Sequence, residues 1–177
     1  MFDLQPTLRG NLVELRPLMA DDWVALFAVA SDPLIWEQHP QRERYREHVF
    51  REFFDGAIAT GSAFAVLDAA DGRIIGSTRY HGHDTERREI EIGWTFLARS
   101  HWGGRHNGEM KALMLRHAFT FAESVIFVIG ATNVRSQLAV QRVGATLVGP
   151  HPERDGNLVF RIHNHMTRQR NLERHQA

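Results

Sequence analysis

Residues Arg88–Glu123 read REIEIGWTFLARSHWGGRHNGEMKALMLRHAFTFAE, and their hydrophobic period changes part-way along. From Arg88 to Leu97 apolar and polar residues alternate, with Ile90, Ile92 and Trp94 on one face and Glu89 and Glu91 on the other. That is a half-buried strand. From about Asn107 to Glu123 the apolar positions are Met110, Leu113, Met114, His117, Ala118 and Phe121, one stripe of an amphipathic helix. Between them lies a polar loop bearing Gly103 and Gly104. Val125–Ile129 follows as a continuous apolar run, expected of a strand buried on both faces. Strand, loop, helix and strand make one crossover unit, which implies a parallel pair.

Upstream, Asn11–Leu18 alternates and reads as a strand. Asp21 and Asp22 open a helical stretch with Trp23, Leu26, Phe27 and Ala30 on one face, and Pro33 and Pro40 bracket an irregular segment containing Trp36. From Arg44 to Thr60, Val49, Phe50, Phe53, Phe54, Ala57 and Ile58 keep helical spacing. Ser62–Ala69 and Arg73–His81 are strands joined across Asp71-Gly72, a tight-turn dipeptide. With Arg88–Leu97 they form an antiparallel meander. Downstream, Asn133 caps a helix that ends at Gly144, and Ala145–Val148 and Leu158–Ile162 are strands. The order predicts an α+β domain: a mixed, mostly antiparallel sheet of six to seven strands flanked by about four helices. The domain is expected over residues 8–167, with a polar tail at 168–177.

Composition bounds the function. The chain of 177 residues is 43% hydrophobic and long enough for a core that needs no disulfide or metal. It has no cysteine, which excludes thiolate nucleophiles and cysteine metal sites and fits a reducing cytoplasm. Lys plus Arg equals Asp plus Glu at 21 each, so no electrostatic footprint for nucleic acid is visible. No apolar run approaches the length of a bilayer span, and the N-terminus lacks the pattern of a signal peptide.

The loop His101–Gly108 (HWGGRHNG) joins a strand to a helix N-terminus. Glycines permit positive φ and close backbone approach, and unpaired N–H groups with the helix dipole favour a phosphate. Arg99, Arg105, His106 and Lys111 add local positive charge that the zero net charge conceals.

Three pieces in this order resemble the GNAT superfamily of acyltransferases, closest to its RimJ/RimL-type branch. They are Glu91-Ile92-Gly93-Trp94, the run Trp102–Lys111 (WGGRHNGEMK), and Asn133-Val134-Arg135-Ser136 through Val143-Gly144-Ala145. The resemblance covers about Leu8 to Ile162. It implies acetyl-CoA as co-substrate and a primary amine as acceptor, either a protein N-terminus or a small molecule. It implies that Trp102, Gly103, Gly104, Arg105, His106, Asn107, Gly108 and Lys111 hold the pyrophosphate. The backbone of a strand bulge, from about Trp94 through Thr95, Phe96 and Leu97, would hold the thioester. The family loop carries Gly at its fourth position and Gly or Ala at its sixth. This chain has Arg105 and Asn107 there, read as a subgroup variant.

For catalysis the resemblance makes Ser136 the proton donor to the leaving thiolate and sets Asn133 beside the pantetheine arm. Both residues also suit a plain helix start. Glu91 is the expected general base, with Glu89 on the same face as competitor, and both also fit a solvated strand face. His81, at a strand end, and Trp36 are expected at the acceptor pocket, though core packing suits the early aromatics, Trp23, Trp36, Phe53 and Phe54, equally well. His117 reads as a core histidine. The pairs His81/His83 and His163/His165 lack a third ligand at metal spacing, so no metal is expected. An edge strand near the C-terminus leaves a homodimer open. The alternative function is a catalytically weak CoA-binding sensor or interaction module on the same fold.

Overall fold

The computed structural model describes residues 2–164; His165 and the tail at 168–177 lie outside them. Eight strands form one sheet, in the order β1-β2-β3-β4-β5-β6-β8-β7. They are β1 (Leu8–Arg9), β2 (Val13–Pro17), β3 (Ala63–Asp68), β4 (Ile74–Asp84), β5 (Glu89–Leu97), β6 (Ser124–Gly130), β7 (Thr146–Pro150) and β8 (Asn157–His163). The helices are α1 (Trp23–Ala30), α2 (Glu47–Ala59), α3 (Arg105–Ala118) and α4 (Val134–Arg142), with 3-10 turns at Ala20–Asp22, Pro33–Ile35, Arg42–Tyr45 and Arg99–His101. The count exceeds the expected six to seven because β1 has two residues, too few to show a period. Every neighbouring pair is antiparallel except β5 and β6.

Each face of the sheet carries a core. On one, Met110, Leu113, Met114 and Ala118 of α3 and Val140 of α4 pack on Val13, Leu15, Ile90, Ile92, Val125, Phe127 and Phe160. On the other, Leu26 and Ala30 of α1 and Phe50, Phe53, Phe54 and Ala57 of α2 pack on Ala63, Ala65, Phe96 and Trp36. Removing this apolar surface from water, at roughly 25 cal/mol per Å², drives the assembly. Phe127 and Val125 are buried, but Val128 is half-buried because its face of β6 opens on a cavity.

Glu109 ties α3 to the far edge of the sheet. Its carboxylate accepts the backbone N–H of Asn11 at 3.0 Å, Leu12 at 2.6 Å and Val13 at 2.9 Å. Burial pushes this carboxyl up and those three bonds pull it down further, so it ends below the usual glutamate range. A side chain at Gly10 would run into this carboxylate. α3 begins two residues earlier than expected and ends five earlier, at Ala118, where Phe121 N–H turns back to the carbonyl of Ala118.

Candidate active site

The site begins with one extra residue in β5. Arg79 of β4 faces Gly93 and Ser77 faces Phe96, so two steps on β4 meet three on β5. This β-bulge puts Trp94 at φ 51°, a left-handed conformation that a bulky residue holds only under constraint. The extra residue shifts the alternation beyond it. Trp94 therefore does not share a face with Ile90 and Ile92, as the period predicted. Its ring sits with the side chains of the Glu91 face: Arg79 at 4.2 Å, Arg154 at 5.9 Å and His81 at 4.9 Å. Thr95 takes the other face, with its hydroxyl 2.8 Å from that of Thr78.

Beyond the bulge β5 and β6 separate. Their parallel ladder pairs Glu89, Ile90 and Glu91 with Ser124, Val125 and Ile126, then stops. Residues Ile92–Leu97 and Phe127–Gly130 line the two sides of the resulting cleft, a cavity of about 680 Å³. A strap over residues 35–41 crosses it. Trp36 is anchored by its indole N–H to the carbonyl of Ala30 at 2.7 Å, and the side-chain oxygen of Gln38 accepts the N–H of Arg135 at 3.1 Å. Arg135 donates to the carbonyl of Ile35 and stacks 4.0 Å from the ring of Trp102, whose own N–H bonds the carbonyl of Leu97.

One end of the cavity is the glycine loop. Gly103 and Gly104 have φ of 100° and 106°, which only glycine adopts without strain, and Gly104 is the N-cap of α3. Arg105 and His106 thus join Asn107 in the first helical turn and do not lie in the loop, contrary to expectation. A first turn needs ordinary helical dihedrals, so non-glycine residues fit there. The first helical bond is Gly108 N–H to the carbonyl of Gly104, leaving the N–H groups of the first turn without helical acceptors. Trp102, Gly103, Gly104, Asn107, Gly108 and Lys111 line the cavity; Arg105 is exposed and His106 faces Asp68, so neither does. Asp68 holds the loop's entry: one carboxylate oxygen accepts the N–H of Ala70 at 2.9 Å and the other pairs with His101 Nε2 at 2.9 Å. Asp68, His101 and His106 bring one ligand-type atom each within 4.8 Å of one another. This cluster joins β3 to α3, and His81, His83 and His163 take no part in it.

The catalytic candidates separate. Asn133, Ser136 and Glu91 all line the cavity. The Asn133 side chain caps α4 by accepting the N–H of Ser136 at 3.2 Å, as a helix-start reading predicts, while the Ser136 hydroxyl bonds no other described residue. Glu91 is 4% exposed and is not solvated; Arg154 clasps it with two contacts of 3.2 Å. Glu89 lies outside the cavity, held by Arg161 at 2.7 Å and the Ser124 hydroxyl at 2.7 Å. It serves the sheet. His81 is exposed and does not line the cavity, reaching it only through Trp94; Trp36 does line it. His117 is half-buried against Phe2, Tyr80 and Phe121 and lies 2.8 Å from the carbonyl of Asp3.

Lys111, expected to hold the pyrophosphate, is buried in the wall of the site, and three residues that the sequence did not bring forward lie near it. Lys111, the only lysine in the chain, is 4% exposed. Its ammonium lies 3.5 Å from the Thr95 hydroxyl and 5.1 Å from the centre of the Phe127 ring, with no carboxylate partner among the described residues. Burial pushes it down to about 8. Its place three before Met114 and four before Leu115, on a widened apolar stripe, is the signal that marks it as buried. His39 and Arg44 also line the cavity, and Arg79 lies behind them over the same Phe53 ring as Arg44; nothing local in the sequence links the three.

A parallel pair of strands that splay after a bulge, with a glycine-capped helix start at one end of the gap, defines an acyltransferase fold. The sequence matches the model of the acetyltransferase (GNAT) domain over residues 13–146, and the chain belongs to that family. No curated protein matches it in sequence. Solved structures with this fold include a GCN5-related N-acetyltransferase from Brucella melitensis, 22% identical with a TM-score of 0.78, the match covering 90% of this chain and 79% of that one. A putative acetyltransferase from T. thermophilus is 26% identical with a TM-score of 0.73, over 92% of both chains. Mycobacterium smegmatis RimJ in complex with CoA-disulfide is 21% identical with a TM-score of 0.68, over 94% of this chain and 91% of that one.

Proposed function

We propose that this chain is an N-acetyltransferase of the RimJ/RimL type, moving an acetyl group from acetyl-CoA to a primary amine, on a protein N-terminus or a small molecule. The observation that carries it is one continuous cavity holding both the glycine loop and the bulged, unpaired edge of β5. The loop and first-turn amides of α3 suit the pyrophosphate. The β5 edge from Trp94 to Leu97 offers backbone groups to the pantetheine and to the thioester carbonyl, a preorganised arrangement often worth a few kcal/mol in the transition state.

The acceptor nitrogen attacks the carbonyl carbon, the C–N bond forms, the C–S bond breaks, and the thiolate takes a proton. Ser136 supplies that proton, its hydroxyl being free of other described partners. Glu91 takes the proton of the amine. Arg154 occupies both oxygens of that carboxylate, so it serves best an amine that needs little help. An α-amine near 8 needs far less than a lysine near 10.4. The same ion pair favours a second reading, a CoA-binding module with weak catalysis, if Arg154 never releases Glu91.

Calorimetric titration of acetyl-CoA, then thiol release with a panel of amines, tests both. Micromolar binding with turnover of any amine supports the transferase. Binding without turnover supports the module, and turnover of small amines but not peptides would sink the N-terminal version.

A further inference from the structure

The end of the cavity opposite the glycine loop carries more positive charge than its own residues balance. Arg79 on β4 is 7% exposed, and its Nε has no hydrogen-bond partner among the described residues. Its guanidinium lies 4.2 Å from the ring of Trp94 and 5.4 Å from that of Phe53. Arg44, which lines the cavity, lies 4.7 Å from the same Phe53 ring and 5.5 Å from Trp36. Neither arginine forms an ion pair among the described residues. Arg44 has one polar neighbour, His39 Nε2 at 3.2 Å, but His39 Nδ1 already accepts the N–H of Gln41. A neutral imidazole has a single acceptor nitrogen, so His39 cannot serve both. Burial, followed by the charge of Arg44, pushes this histidine down to about 4, so it is neutral at pH 7.

Three of the four other partly buried arginines have a carboxylate, and the fourth, Arg135, bonds the carbonyl of Ile35 instead. Arg16 has Asp22 at 2.7 Å, Arg161 has Glu89 at 2.7 Å, and Arg154 has Glu91. Arg79 and Arg154 share the single carboxylate of Glu91, and Arg44 has none among the described residues, which leaves two positive charges over. Those charges cannot be shed. Burial, aided for Arg44 by repulsion from Arg79, lowers both guanidiniums only to about 10. Two unbalanced guanidiniums sandwiched among aromatic rings beside a cavity are a receptor for an anion, and their planar forks match a carboxylate.

We infer that the acceptor amine carries a carboxylate, which Arg44 holds at the cavity wall with the charge of Arg79 behind it, while its amino group meets the thioester at the bulge of β5. This rests on the acetyl-transfer reading and narrows it. Polyamines are disfavoured by the like charge, and amino sugars without a carboxylate offer the arginines no anion. The carboxylate can belong to a free amino acid or to an acidic residue at a peptide N-terminus, where the α-carboxylate is consumed by the peptide bond and the side chain supplies the anion.

The test pairs each acid with its amide. Thiol release from acetyl-CoA is followed with glutamate against glutamine amide, and with peptides beginning Glu or Asp against Gln or Asn. The carboxylate member should have a kcat/KM roughly ten- to a hundredfold higher, the range of one or two charge-assisted hydrogen bonds. Preference among the free amino acids alone assigns a small-molecule acceptor; preference among the peptides assigns an acidic N-terminus. In Arg44→Gln the preference should fall to within about twofold of unity with the acetyl-CoA Kd unchanged, and Arg79→Gln should repeat the loss if it folds. Equal turnover of acid and amide, or preference for cationic amines, overturns the inference and leaves acetyl transfer standing. A binding measurement separates the two failures. N-acetylglutamate, titrated into protein saturated with CoA, should bind, and its uncharged diamide should not, whether or not any amine is turned over. Equal or absent binding of both overturns the carboxylate site.

Discussion

Replacing Lys111 with Met should make this protein more stable at neutral pH and less active. Lys111 is buried at 4% exposure without a carboxylate among the described residues, so its charge is carried at the expense of stability. Its ammonium falls from an ordinary 10.5 to about 8 through burial. The linkage follows from which state holds more protons. Below pH 8 both folded and unfolded chains are protonated, and the folded state bears the full desolvation cost. Between about 8 and 10.5 the unfolded chain binds more protons, so stability rises with pH. Above 10.5 the cost is gone. At 1.36 kcal/mol per unit the shift amounts to roughly 3 kcal/mol. Lys111→Met, of similar length and uncharged, should gain about that at pH 7 by urea denaturation, and the gain should shrink steadily between pH 8 and 10.5. Because the chain has one lysine, no other ammonium of this kind titrates in that window. A loss of stability at pH 7, or a gain that does not change with pH, would refute the reasoning. A lysine, unlike an arginine, can give up its charge when the cavity fills, so acetyl-CoA affinity should also change in the variant.

Four further outcomes follow from the geometry. Gly104→Glu sets a side chain at φ 106° and a negative charge at the start of α3, so acetyl-CoA binding by calorimetry should fall at least about tenfold. Ser136→Ala should lower kcat by roughly ten- to a hundredfold while leaving the acetyl-CoA Kd within about twofold, since a proton donor acts only as the thiolate leaves; an unchanged kcat leaves Ser136 as a helix residue. Glu109→Ala strips three backbone N–H groups of their acceptor and should cost about 2–4 kcal/mol by urea denaturation. Because the Glu109 carboxyl is held below its ordinary value, its contribution is present above the unfolded value near 4.5 and fades as pH falls through the folded one, so the wild-type and variant curves should converge under acid.

The crossover unit was legible because period is a local property. The switch from β5 to α3, the glycine cap, the Asn133 cap and the apolar run of β6 each depend on neighbours within a few residues, and each was found within a few residues of its place. The positive φ of Gly103 and Gly104 was legible for the same reason. The bulge was not. Nothing in EIGWTF distinguishes an alternating strand from one with an extra residue, and only pairing with Arg79 and Ser77 of β4 reveals the extra step that turns Trp94 toward Glu91. The partners of the two glutamates were hidden too. Arg154 and Arg161 lie 63 and 72 residues away and reach Glu91 and Glu89 through the β6–β8 side of the sheet. Alternation assigns a face to a carboxylate without saying whether water or a guanidinium meets it there.

By itself the sequence determined the elements, the glycine loop at the start of α3 and the family likeness, all of which rest on short-range spacing and backbone preference. The tertiary structure alone decided where charge goes unbalanced. Lys111, Arg44 and Arg79 lie on α3, a 3-10 turn and β4, and their burial without carboxylates depends on which strands part and which aromatic rings close over them. Desolvation belongs to a surrounding assembled from distant residues, and a chain read in order cannot contain it.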